Sequence, residues 1–154
     1  MASSQEIWIF AEQEDGELKP VALELLGKAR ELADDLEVPI GAILLGKNVR
    51  GLADTLCQQG ADKVYLADSE ELEHYRTLPY AKVVRDAVRE YQPQIALFGA
   101  TMIGRDLAPR VASVLQTGLT ADCTDLKIGD YLDNQTGQHH EKILFQVRPA
   151  FGGN

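Results

Sequence analysis

Four short runs of apolar residues punctuate the chain, at 7–11 (IWIFA), 40–45 (IGAILL), 63–67 (KVYLA) and 95–98 (IALF). In the first, second and fourth, unbroken apolarity over four to six residues is the pattern of a strand buried on both faces of a parallel sheet, and KVYLA reads as the third strand. Between these runs the period changes. Ala22, Leu25, Ala29, Leu32 and Leu36 recur three and four apart; so do Val49, Leu52, Ala53, Leu56 and Cys57, then Tyr80, Val83, Val84, Ala87, Val88 and Tyr91, and finally Leu107, Val111 and Leu115. Each set forms one face of a helix. Pro39 and Pro93 close two of these helices, and Gly60 stands where a third should stop. The fourth is expected over about 105–115, with Pro109 early in it, where a missing N–H costs least.

Strand and helix thus alternate four times, which implies βαβ units and a parallel sheet with helices on both faces. The rhythm breaks after Thr120. A short strand there is followed by LKIGDYLDNQTG and KILFQVRP, read as two antiparallel strands joined by a polar loop around 134–140, so a mixed sheet with an antiparallel edge is predicted. The acidic stretches EQEDGELK and DSEELEHYR read as solvated connections. No internal repeat interrupts this order, and 154 residues suit one domain with a substantial core.

Composition narrows the range of functions. A formal net charge of −9 disfavours nucleic acid and anionic membrane surfaces, because affinity for phosphate backbones rests on Lys and Arg. The opening MASSQEIWIFAEQEDG has no basic leader and only a short apolar run, so membrane insertion is not expected and the cytoplasm or a mitochondrial matrix is the expected location. Cys57 and Cys123 lie far apart without a CxxC pair and are read as small core hydrophobes. His74, His139 and His140 lack ligand spacing; the adjacent pair, in DNQTGQHHEK, is read as solvated loop histidines. Ser3, Ser4, Ser69 and Ser113 sit in no nucleophile elbow, so no active site of the chain's own is expected.

Ligands of open α/β sheets bind beyond the carboxyl ends of the strands. The loops after Phe10, Leu45, Ala67 and Phe98 share that edge. Among them GATMIGR, at 99–105, is the best anion candidate: Thr101 offers a hydroxyl, Gly104 lets a ligand approach the backbone, and Arg105 adds charge at a helix start. Its spacing is neither GxGxxG nor a Walker loop with its lysine, so a plain helix entry with Arg105 and Asp106 facing solvent or a partner stands beside the binding reading. Arg148 follows ILFQV and precedes a proline, where a strand leaves the sheet. It is read either as a surface arginine or as a cationic contact with a cofactor or partner.

The segments IWIFAEQEDGELKPVALELLGKARELAD, GADKVYLAD, LFGATMIGRDLAPRVA with TGLTADC, and RPAFGGN, in this order, make residues 1–154 resemble the N-terminal domain of the electron transfer flavoprotein α subunit. The resemblance implies a three-layer α/β fold of the adenine nucleotide α-hydrolase-like type, with a mostly parallel sheet of order 3-2-1-4-5 and C-terminal antiparallel strands. It implies a parent protein that continues into a C-terminal FAD-binding domain, and a β subunit partner. Together these carry electrons from flavin dehydrogenases to a quinone oxidoreductase or another acceptor. FAD then belongs to the parent complex, with none expected on this part alone. Arg105, Arg148, Thr101 and Gly104 become candidate contacts with the partner or its flavin. The competing reading, a self-standing nucleotide-binding module of the universal stress protein type, needs more glycines and small residues after the fourth strand than GATMIGRD offers. Because RPAFGGN directly follows a predicted strand, the chain is expected to belong to a longer protein.

Overall fold

Strand β1 (Ile7–Phe10) leads into a minimal hairpin, β2 (Gln13–Glu14) and β3 (Glu17–Leu18), and then into helix α1 (Pro20–Leu36). There follow β4 (Ile40–Gly46), α2 (Arg50–Gln58), β5 (Lys63–Asp68), a single 3-10 turn at Glu70–Leu72, α3 (Thr77–Tyr91), β6 (Ile95–Leu97), α4 (Met102–Leu115), β7 (Asp125–Leu132) and β8 (His139–Val147). This is a computed structural model, and it describes residues 5–119 and 125–147.

The sheet runs β5-β4-β1-β6 with every neighbouring pair parallel. Counting only the four apolar runs, this is the expected order 3-2-1-4. The fifth place falls on 120–124, outside the described residues, as does Cys123. Side chains alternate across a strand, so a strand covered on both faces must be apolar throughout. Ile7, Ile9, Ile40, Ala42 and Leu44 pack with Ala22, Leu26, Ala29, Leu32 and Ala33 of α1 and Leu56 of α2. Their neighbours Trp8, Phe10, Ile43 and Leu45 pack instead with Tyr80 and Val84 of α3 and Leu107 and Val111 of α4. Three layers result, with α1 and α2 on one face and α3 and α4 on the other.

Several details depart from the sequence reading. The antiparallel pair is not an edge of the parallel sheet but a separate two-stranded ribbon. Leu126 and Ile128 of β7 pack on the cluster that contains α1. Lys28 of α1 donates from Nζ to Asp125 Oδ1 at 2.7 Å and to the Leu126 carbonyl at 3.1 Å. His139 and His140 belong to β8 rather than to the loop, which is tightened to 133–138 by the Gly137 N–H donating to the Asp133 carbonyl at 2.7 Å. Cys57 is exposed, because α2 meets the core through Leu56, with Leu52 and Ala53 partly buried beside it, and Cys57 lies off that face. Pro109 lies inside α4, because Thr101 caps the helix and starts it at Met102, earlier than the apolar spacing suggests.

Candidate functional site

The chain leaves β1 for β4 and β5 on one side and returns to β6 on the other, so the topological switch point lies between the carboxyl ends of β1 and β6. Doubly wound folds hold their ligands at this point. Here it is filled from within. The Ala11 N–H donates to the Ile43 carbonyl at 3.0 Å, carrying β1's path one residue further, and Glu12 then turns toward β6. Glu12 is only 2% exposed, and its Oε1 accepts a hydrogen bond from the Thr101 hydroxyl. Thr101 is the N-cap of α4, with extended backbone (φ −104°, ψ 173°), and its oxygen accepts from the Gly104 N–H at 3.0 Å. The Arg105 N–H donates to the Thr101 carbonyl at 2.8 Å and opens the helical ladder.

Gln13 covers the other side. Its Nε2 donates to the Leu45 carbonyl at 3.1 Å, at the end of β4, and its Oε1 accepts from the Gly16 N–H at 3.1 Å. The Lys19 N–H donates to the Glu12 carbonyl at 2.9 Å and closes the β2–β3 excursion over this edge. Close packing completes the closure. A Cβ on Gly99 would stand 2.6 Å from Val21 Cγ2, and one on Gly104 would stand 1.9 Å from the Gly99 carbonyl oxygen. Gly104 therefore lets the first turn of α4 rest on the strand-end backbone.

The structure thus brings Thr101, Gly104 and Arg105 together in one helical turn, with Thr101 half-buried, Gly104 buried and Arg105 exposed. Arg148 lies outside the described residues. Glu12, central to the arrangement, is absent from the sequence-derived set. Its one signal was position, an acid set directly against the end of a doubly buried apolar run.

The start of α3 is tied to the same helix. Tyr75 and Thr77 donate from their hydroxyls to Asp106 Oδ2 at 2.6 and 2.5 Å. Those bonds, Thr77's first, hold the Asp106 carboxyl below the usual carboxylate range, while burial and Asp106 push the Tyr75 hydroxyl up to about 12. Leu78 and Met102, in the first turns of α3 and α4, are 73% and 90% exposed. At the opposite end of the sheet, buried Glu6 accepts from Trp8 Nε1 at 2.8 Å, Lys63 Nζ at 2.6 Å and the Tyr65 hydroxyl at 2.7 Å. Burial works against this carboxylate, but the three donors outweigh it and hold Glu6 below its ordinary value.

Among the described residues no group of three His, Cys, Asp or Glu side chains is placed to hold a metal, and no helix is long and apolar enough to cross a membrane. Fold and edge together define an open, doubly wound α/β domain whose switch-point crevice is taken up by its own side chains. Residues 7–154 match the electron transfer flavoprotein domain, and the chain belongs to that family.

It is 51% identical over its full length to the electron transfer flavoprotein subunit alpha of Thermoanaerobacterium thermosaccharolyticum, covering 44% of that protein. With the electron transfer flavoprotein subunit alpha of Clostridium acetobutylicum it is 52% identical over 96% of its length and 41% of the relative. A relative with a different name, the lactate dehydrogenase (NAD(+),ferredoxin) subunit LctC of Acetobacterium woodii, is 45% identical over 96% of the chain and 33% of its own length. The chain therefore spans less than half the length of these curated relatives.

Proposed function

We propose that this chain is the N-terminal scaffold and subunit-contact domain of an electron transfer flavoprotein α subunit. The parent pair of subunits carries electrons from flavin dehydrogenases to a quinone oxidoreductase or another acceptor. The observation that carries the reading is the identity of about half of all positions with α subunits along the whole chain. The chain's own residues at the switch point do not fit a flavin or other nucleotide. Glu12 sets a carboxylate where a phosphate would need donors, and Gly104 is pressed against the Gly99 carbonyl with no space between. FAD accordingly belongs to the rest of the parent complex.

In this reading Arg105, exposed on the first turn of α4, and Arg148 are contacts with the β subunit or its flavin, and Thr101 and Gly104 fix the helix that presents Arg105. The domain supplies no reacting group. The Acetobacterium relative, named as a dehydrogenase subunit, is compatible with such a platform standing inside an enzyme complex. The cytoplasm, or a mitochondrial matrix, is the compartment this role calls for.

The test is co-expression of the chain with an electron transfer flavoprotein β subunit from the same source, followed by size-exclusion chromatography and analysis of released nucleotides. The expected result is a complex in which this chain, isolated again, carries no stoichiometric flavin or nucleotide. Stoichiometric AMP, ATP or flavin on the chain alone, together with no association with β, would overturn the proposal.

A further inference from the structure

We infer that Glu12 is the residue that turns the switch-point crevice away from phosphates, by occupying in both space and charge the place an anion would take. The inference rests on the scaffold reading above. Most parts of an anion site are present at this edge: the start of a fourteen-residue helix, a hydroxyl at its N-cap, and an arginine on its first turn. The donors, however, are already directed inward. The Gly104 N–H donates to Thr101, and Thr101 donates in turn to Glu12, so the positive end of α4 faces a carboxylate belonging to the chain itself.

That carboxylate is buried and held from both flanks. Its own carbonyl is fixed by the Lys19 N–H, and the next residue, Gln13, is clamped between the Leu45 carbonyl and the Gly16 N–H. The backbone that carries Glu12 is therefore fixed, and the buried side chain is held by the Thr101 hydroxyl. A phosphate approaching α4 would meet a like charge at short range, in surroundings poorer in water than bulk solvent.

The test compares the full chain with its Glu12→Gln and Glu12→Ser variants, using inorganic phosphate and the nucleoside monophosphate AMP as probes in titration calorimetry and phosphorus NMR. Glu12→Gln removes charge but keeps bulk and an acceptor for Thr101, so it is expected to stay folded; Glu12→Ser also opens space. The wild-type chain should show no saturation with AMP at millimolar concentrations, and the folded variant that opens space as well as removing charge should bind at least about tenfold more tightly, which is about 1.4 kcal/mol. Thermal melting establishes which variants are folded; if Glu12→Ser is not, Glu12→Ala, which opens the same space, takes its place, and Glu12→Gln separates the effect of charge from that of bulk. A folded space-opening variant that binds no better than wild type would overturn the inference and leave the scaffold reading intact. A wild-type chain that binds AMP tightly with Glu12 in place would overturn both.

Discussion

Glu6 carries a measurable pH dependence. Its folded carboxyl titrates below its ordinary value, so the stabilisation from its three donors is complete above the unfolded pKa, near about 4.3, and is lost as the pH falls through the folded one. Glu6→Gln should lower stability at neutral pH by about 2 kcal/mol and flatten the decline that sets in as the pH falls below the unfolded value. Urea unfolding followed by fluorescence of Trp8, the sole tryptophan, reads both effects. Gly104→Ala makes a harsher demand, because its Cβ would be driven onto the Gly99 carbonyl and the helix start would have to move. A loss of about 3 kcal/mol is expected from such overpacking, seen as a lower melting temperature by circular dichroism. Thr101 was singled out in the sequence for its hydroxyl, as an anion contact, but its role as the cap of α4 was not read, because the apolar spacing started that helix near residue 105. Glu12 was missed altogether, because within EQEDGE one acid looks like the next. Only the tertiary approach of β6 singles it out.

Among the elements, the strands were the most readable as strands, though IALF, read as buried, is an outer strand of the described sheet with Ala96 exposed. A run such as IGAILL must be covered on both faces, and β4 is buried at every one of its seven positions. Helix boundaries were less so. The apolar spacing of α4 marks only the turns that touch the sheet, whereas its first turn is set by a cap, which is how Pro109 comes to lie inside. The histidine pair entered a strand because the ribbon's register depends on backbone pairing between Tyr131 and His140 and between Leu132 and His139, to which side-chain polarity gives no clue. Three helices end on non-glycine residues in the left-handed region: Glu37, Gln92 and Gln116 at φ 58°, 49° and 53°. L-residues pay for that conformation and glycine does not. Gln116→Gly should therefore raise stability by about 0.5 kcal/mol, after allowing for the greater freedom of glycine in the unfolded chain; a rise in the urea midpoint with an unchanged slope would show it.

For the molecule as a whole, the pattern of apolar runs was enough to find the four strands, and the family resemblance supplied their order, but neither fixed the place of the ribbon. That depends on Lys28, an ordinary surface lysine in sequence, reaching across to Asp125 and the Leu126 carbonyl. Lys28→Ala should speed hydrogen exchange in β7 and β8 while leaving β1 and β4 as protected as before; equal loosening of the sheet would refute this division of the structure. The central place of β1 bears on how the chain is made. Ile7 pairs with Ile40 on one side and with Ile95 on the other, so the second flank of β1 waits for a partner 88 residues downstream. At ribosomal speeds of about 5–20 residues per second, that is a delay of roughly 4–18 s during which an apolar strand has one side bare. Nascent chains stalled before β6 emerges should therefore be the ones that molecular chaperones hold most firmly.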